Sequence, residues 1–587
     1  MAVATGAQLI ARTLHDLGVT VIFGIVGIPV VEIAEEAINL GIRFVAFRNE
    51  QACSYAASIY GYMTGRPGIG NSSANNFPLL VLAGSAETSG VTKGAFQEMD
   101  AVSFLTPHTK FAVRTTSLDF VNGAVKNAYR TCWYGRPGPT FVDLPADIIQ
   151  GKSAPGFRLP APETTLVAAP PKTAGDPASI AKAVELLRTA RAPLLIVGKG
   201  AAYARAESGI CRLVEQTQVP FLPTPMGKGV VPDSHPLNAS SARSTALKHA
   251  DVVLVLGARL NWILHFGEPP KWSLRAKIIQ VDICAEEIGR NAGTAELGII
   301  GDVGLVVDQL LASLSNWRYA PSSSPDGQFS SLLAESAKKN ETKAQKAALL
   351  PTSPGSPLTY QRAFQVIKTT LNSLTPLEDG NIVYVSEGAN TMDISRSAFP
   401  LNHPRQRLDA GTYATMGVGM GYIVAAHEAY NATPQQPNNK QKKIIALEGD
   451  SAFGFSAMEI ETMARYRIPA LIFVINNSGI YHGDSTTQNA WTALQDQTIA
   501  NDTKSDDGKK GLRSTSLLYE MRYEMLAQMC GGKGFFVRNE QELERATRAG
   551  FESDTVTVVN VIVEPGIGKK IGFAWQGDAG KEGMAKL

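Results

Sequence analysis

The chain has 587 residues, of which 44% are hydrophobic and 18% charged, with 54 glycines and 33 prolines. That profile fits a packed, loop-rich globular protein of three or four domains and excludes a largely disordered chain. Against 55 Lys and Arg stand 53 Asp and Glu, a net charge of +2, so no overall field favours nucleic acid or a membrane surface.

In chain order, short β-rich apolar runs fall at 20–26, 42–47, 78–83 and 140–143, with helical patterns between them. A proline-rich connector follows at 153–179. The middle block has strands at 192–197, 251–256 and 276–281. A second connector runs from Pro321 to Pro357 and contains a polar helical stretch over 329–350. The last block has strands at 381–385, 443–447, 470–475 and 555–563. Near-continuous apolar strands alternating with helices predict mainly parallel sheets covered on both faces. The expected fold class is therefore α/β, with three doubly wound domains at 1–160, 176–320 and 355–587. Ligands in such folds sit beyond the carboxyl ends of the strands. No apolar run approaches the length of a membrane span, and the N-terminal residues lack the form of a secretory signal.

The sharpest chemical signal lies in the last block. One strand runs into Glu448-Gly449-Asp450-Ser451-Ala452, and the next ends at Asn476-Asn477-Ser478-Gly479-Ile480-Tyr481. Adjacent parallel strands would set the Asp450 carboxylate beside the Asn477 amide oxygen. Such hard donors suit Mg²⁺, which keeps phosphate oxygens as further ligands. Asp and Asn are also common at ordinary strand ends, so the pair alone leaves both readings open. In the first block, Arg48-Asn49-Glu50 opens a helix just after a strand, where an acid also interacts favourably with the helix dipole.

Together these segments resemble the metal–diphosphate motif and activating glutamate of thiamine-diphosphate enzymes, with Ser451 where the motif usually has glycine. Gly24-Ile25-Val26-Gly27-Ile28-Pro29, Gly94-Ala95-Phe96-Gln97-Glu98-Met99-Asp100, Ser386-Glu387-Gly388 and the run 449–456 extend the likeness over nearly the whole chain. They resemble the 2-hydroxyacyl-CoA lyase and oxalyl-CoA decarboxylase family, its peroxisomal fungal members in particular. The resemblance implies thiamine diphosphate and Mg²⁺ as cofactors. Glu50 would activate the cofactor through its pyrimidine ring. Asp450, Asn477 and the Gly479 carbonyl would hold the metal. Ile28, Pro29, Glu387, Met416, Gly449, Ser451, Ala452 and Ile480 would line the cofactor, Met416 as the wedge that bends it. Gln97, Glu98 and Tyr481 would approach the reacting carbon. The implied reaction cleaves C1–C2 of a 2-hydroxyacyl-CoA to formyl-CoA and an aldehyde, as in fatty acid α-oxidation. The alternative is decarboxylation of oxalyl-CoA to formyl-CoA and CO₂, and Phe96-Gln97-Glu98 leans toward the lyase. A flavin-containing acetolactate synthase is a further rival within the superfamily. The family works as a homodimer or homotetramer.

By the same resemblance the middle block would bind CoA. Gly198-Lys199-Gly200, Arg259 and Asp282 each follow a strand, giving a backbone turn, a cation and a ribose acceptor. Lys569 and Lys570, in a glycine-rich tail with Trp575, could close over the CoA arm. The last residues, Ala585-Lys586-Leu587, fit the pattern read by the peroxisomal import receptor, which points to the peroxisomal matrix. The five cysteines are scattered and read as buried thiols in a reducing compartment. None of the eight histidines pairs at metal-ligand spacing, and His482 alone lies beside the Asn477 loop.

Two departures from the family pattern stand out. After Thr64-Gly65-Arg66-Pro67-Gly68 the chain passes at once to the strand at 78–83, so the family pattern implies that one strand–helix unit is lacking near 68–69, in the interior of the first sheet. A missing piece in the gene assembly is the first explanation, and weak cofactor binding with loss of activity is the expectation for the chain as written. Residues 486–514 look like a polar insertion, expected to form a mobile loop over the mouth of the site.

Overall fold

The computed structural model describes residues 3–68, 76–157, 160–320, 328–353, 355–432, 441–500 and 511–567. The chain forms two compact units. Unit one is Met1–Pro171 with Gly417–Ile444 and Ser456–Pro469. Unit two is Lys172–Met416 with Ile445–Phe455 and Ala470–Leu587.

Unit one contains β1 (Val21–Gly24), β2 (Arg43–Ala46), β3 (Leu79–Ser85), β4 (Phe111–Arg114) and β5 (Pro139–Pro145). These build two separate parallel sheets: β1–β2, and β3–β5–β4. Both feed one core. Ile22 of β1, Leu80 of β3 and Val142 of β5 pack with Ile10 and Leu14 of the helix Gly6–Asp16 and Val125 of the helix Leu118–Trp133. At its far end β3 lies against the turn after β1, where a Cβ on Gly84 would stand 2.8 Å from Pro29 Cδ. Yet no strand joins the two sheets among the described residues. Gly68 alone bridges to β3: its N–H donates to Pro78 O at 3.0 Å and its carbonyl accepts from Leu80 N. The split falls beside the position where a strand–helix unit is expected to be lacking; residues 69–75 lie outside the described part.

The helix Glu50–Thr64 is capped by Asn49, whose side chain accepts from Gln51 N and Ala52 N. It packs on the helix Gly419–His427, with Gly421 against the Ala52 carbonyl. That contact is why a stretch of the expected third block belongs to unit one.

Unit two holds two sheets. The first contains β6 (Pro193–Val197), β7 (Phe221–Pro223), β8 (Val252–Leu256), β9 (Lys277–Asp282) and β10 (Gly298–Ile300), in the order β10–β9–β8–β6–β7. The second contains β11 (Ile382–Glu387), β12 (Arg407–Asp409), β13 (Lys443–Gly449), β14 (Leu471–Asn476), β15 (Lys533–Val537) and β16 (Thr557–Ile562), in the order β12–β11–β13–β14–β16–β15. The pairing is parallel, as expected for strands covered on both faces.

The expected mobile loop after Thr486 is corrected in its first half. Gln488–Ile499 is a helix whose N-cap Thr487 accepts from Ala490 N. Trp491 is 4% exposed and its indole N–H donates to Leu517 O at 3.1 Å. One buried indole outweighs the polar composition that suggested a loop. Residues 501–510 lie outside the described part. Among the described residues no helix is long and apolar enough to cross a membrane.

Candidate cofactor and active site

Within unit two, three strand ends converge. β13 ends at Gly449 and turns into the short helix Asp450–Gly454; β14, its neighbour, ends just before Asn477. Asp450 is 3% and Asn477 4% exposed. Their oxygens meet at one backbone donor: Gly479 N–H lies 3.3 Å from both Asp450 Oδ2 and Asn477 Oδ1. Asp450 Oδ1 accepts from Ser451 N at 2.8 Å. The Asn477 amide nitrogen donates to Tyr481 O at 2.8 Å, which turns its oxygen toward Asp450. Burial pushes Asp450 up to about 7, against the opposing pull of the Ser451 and Gly479 N–H groups. A carboxylate and an amide oxygen side by side, buried and short of positive charge, fit a small hard cation. Among the described residues no cluster of three His, Cys, Asp or Glu forms a metal site, so protein ligation here means these two side chains plus carbonyl, phosphate or water oxygen.

The third strand end is β11. Glu387 is 1% exposed, and the next residue, Gly388, has φ +87°; a Cβ there would lie 3.0 Å from Gly449 N. Only glycine permits this approach of the two turns. Beside Glu387 stands Glu448, wholly buried, a residue that sequence reasoning missed. Burial and the Glu387 carboxylate push its acid well above the usual range, so it keeps its proton. Its one signal in the sequence is an acid closing the apolar run of β13.

Next to these residues in the chain, Ser451 is half-buried, Ala452 buried and Ile480 38% exposed; Met416, also in unit two, is half-buried. Tyr481 is partly exposed with φ +69°, and Ser478 has φ +61°. Two non-glycine residues in left-handed conformation in one loop store strain of about 1–2 kcal/mol each. His482 follows, with its carbonyl accepting from Arg513.

In unit one, Pro29 is buried while Ile28 is 70% exposed, beyond the end of β1. Glu50 is exposed at the start of its helix, beyond β2. Gln97 is exposed with φ +60°. Glu98 is differently employed: its carboxylate accepts from the N–H groups of Thr92, Gly94 at 2.7 Å and Ala95 at 3.1 Å. These donors, Thr92 foremost, hold its acid below the ordinary range. It organises its own loop.

The middle sheet presents Lys199, Arg259 and Asp282 at the ends of β6, β8 and β9, which are neighbours in the order β9–β8–β6. The turns touch backbone to backbone: Gly200 N donates to Gly257 O at 3.0 Å, and a Cβ on Gly198 would lie 2.1 Å from that oxygen. Burial, then the neighbouring Arg259, drives the Lys199 ammonium well below its usual range. Arg259 also donates to Thr412 Oγ1 at 3.0 Å. Asp282 accepts from Cys284 N at 2.9 Å and is raised to about 6 by burial. Two crowded cations beside a glycine turn, with an acid one strand away, suit a nucleotide phosphate and its ribose. Lys569, Lys570 and Trp575 lie outside the described residues.

Residues 4–74 match the thiamine pyrophosphate enzyme N-terminal TPP binding domain, 180–310 its central domain and 387–561 its C-terminal TPP binding domain. The chain belongs to the thiamine pyrophosphate enzyme family. Among its relatives, 2-hydroxyacyl-CoA lyase 1 of Homo sapiens is 41% identical over 97% of this chain and 96% of its own length. The 2-hydroxyacyl-CoA lyase of Saccharomyces cerevisiae is 39% identical over 97% of this chain and 99% of its own length. Oxalyl-CoA decarboxylase of Escherichia coli is 34% identical over 97% of this chain and 96% of its own length. The sequence-based assignment to this branch and to an α/β thiamine-diphosphate fold therefore holds.

Proposed function

We propose that this chain is a thiamine-diphosphate- and Mg²⁺-dependent carbon–carbon lyase that splits 2-hydroxyacyl-CoA between C1 and C2 into formyl-CoA and an aldehyde. The observation that carries the reading is the meeting of Asp450 and Asn477 at Gly479 N–H, in a chain 41% identical to a 2-hydroxyacyl-CoA lyase. When bound, thiamine diphosphate supplies the nucleophilic carbon and the electron sink for the cleavage. Asp450, Asn477 and the Gly479 carbonyl would hold Mg²⁺ and, through it, the diphosphate. Glu50 would exchange a proton with the pyrimidine ring nitrogen. Met416, Ile28, Pro29 and Ile480 would shape the cofactor's seat, and Gln97, Glu98 and Tyr481 would face the substrate carbonyl. Lys199, Arg259 and Asp282 would anchor the CoA nucleotide. The chain is read as a homodimer or homotetramer, a reading supported by the exposed Ile28, Phe96 and Met99 of unit one. At a free C-terminus, Ala585-Lys586-Leu587 has the form of the address that directs proteins to the peroxisomal matrix.

Rates with 2-hydroxyoctadecanoyl-CoA and oxalyl-CoA, measured side by side, test the substrate. Faster aldehyde and formyl-CoA release from the long chain supports the lyase; faster CO₂ release from oxalyl-CoA assigns the chain to the decarboxylase instead.

A second reading is favoured by one observation, the division of unit one into two sheets. In it the chain keeps the fold and the strand-end ligands but binds the cofactor weakly and turns over poorly. Calorimetric titration with thiamine diphosphate and Mg²⁺ separates the two: micromolar binding with turnover sinks the second reading, and no heat of binding sinks the first.

A further inference from the structure

The helix Glu459–Arg465 follows the Asp450 turn in sequence yet belongs to unit one, and its side chains read one short stretch of backbone there. The stretch is β2 and the turn that carries Glu50. β2 is an edge strand, paired only with β1 among the described residues, so its outer backbone groups need other partners. Tyr466 supplies two: its hydroxyl accepts from Ala46 N at 2.8 Å and donates to Phe44 O at 3.2 Å. Glu428, wholly buried, holds Arg43 with contacts of 2.7 and 2.9 Å. Glu459 takes the turn itself. It is 1% exposed, and its two oxygens accept from Arg48 N at 3.1 and 3.3 Å. Burial raises its acid above the ordinary range, against the opposing pull of the Thr462 hydroxyl and the Arg48 N–H. Thr462 Oγ1 donates to Glu459 Oε2 at 2.6 Å and fixes the rotamer.

A backbone N–H held by a buried carboxylate pins this turn, and Glu50 lies two residues further on. We propose that Glu459 is the positioning residue for Glu50: its carboxylate fixes the Phe47–Arg48 peptide, two residues before Glu50, and thereby the direction in which Glu50 leaves the helix start. Asn49 caps the helix from the other side through Gln51 N and Ala52 N, so the backbone flanking Glu50 is tied both before and after it. A buried carboxylate is suited to this role because it accepts from the Arg48 N–H and from Thr462 at once. A glutamine there would turn an N–H₂ group toward other N–H groups. Glu459 itself touches no reacting atom. The proposal rests on the reading that Glu50 serves the cofactor, and its experiment keeps the two apart.

The full-length chain is compared with E459Q, E50Q, the E50Q/E459Q double variant and T462V. Amide hydrogen exchange of the 44–52 segment, without cofactor, is expected to be about tenfold faster in E459Q and intermediate in T462V, with unit two unchanged. With thiamine diphosphate and Mg²⁺ added, hydrogen–deuterium exchange of the cofactor's C2 proton is expected to fall about tenfold in E459Q, with KM for acyl-CoA within about twofold of the parent. The double variant is expected to match E50Q, because Glu459 acts only through Glu50. Parent-like exchange in E459Q, or a double variant at least fivefold slower than E50Q, overturns the proposal and leaves the reading of Glu50 standing. Parent-like C2 exchange in E50Q overturns that reading and the proposal with it. Should E459Q not fold, T462V carries both measurements.

Discussion

Asp450 is a buried acid whose oxygens are engaged only by backbone N–H groups, and burial lifts it to about 7. Removing its charge should relieve the free protein and cripple the loaded one. We expect D450N without cofactor to melt at or above the parent temperature. Thiamine diphosphate with Mg²⁺ at a hundred times its dissociation constant should stabilise the parent by about 2.7 kcal/mol and D450N hardly at all, as read by differential scanning fluorimetry. Asp282 gives a pH test. Its folded acid, near 6, lies above the ordinary unfolded value. The folded state therefore binds the extra proton, and stability contributed at this position falls as pH rises from about 4 to about 6. D282N should lose that slope, a difference of about 1–3 kcal/mol between parent and variant across the window, measured by urea unfolding at successive pH values. At this scale the sequence made positions legible: Asp450, Asn477, Lys199, Arg259 and Asp282 all stand at or just past strand ends, as expected. It hid residues whose meaning depends on a neighbour distant in the chain. Glu448 needs Glu387, and Glu459 needs the Arg48 turn.

The elements show a consistent pattern of what was legible. Long apolar runs became strands as expected, because central strands buried on both faces carry unbroken hydrophobic sequence. The strands missed were β4, β7, β10, β12 and β15, and each lies at the edge of its sheet. These five are three to five residues long and need less apolar surface, so composition gave little signal. The helix Gln488–Ile499 was missed for the opposite reason: its anchor is one side chain. We expect W491A to lose about 3–4 kcal/mol locally, and limited proteolysis to cut first between 486 and 514 in the variant but not in the parent. Equal cleavage rates would show that the indole does not hold the helix.

For the whole molecule, unit one exposes Ile28 at 70%, Phe96 at 75%, Met99 at 52% and Phe104 at 62%. Exposed apolar side chains of that size are the ones a proposed subunit interface would cover. Light scattering coupled to size exclusion is expected to give twice or four times the chain mass. Replacing Phe96 and Phe104 together by serine should shift the mass toward one chain without lowering the melting temperature of unit two. A monomeric parent would remove the support for an obligate assembly.

The two open edges in unit one also bear on the life of the chain outside catalysis. β3 presents seven residues, and beyond Leu80 its outer backbone meets no strand among the described residues; β1 is likewise paired on one side only. Unpaired, apolar parallel edges are templates for wrong partners. A newly made chain would offer them to other nascent chains before its own core closes. Its yield in a cell should then depend on chaperone supply and growth temperature more steeply than that of a relative whose first sheet is continuous.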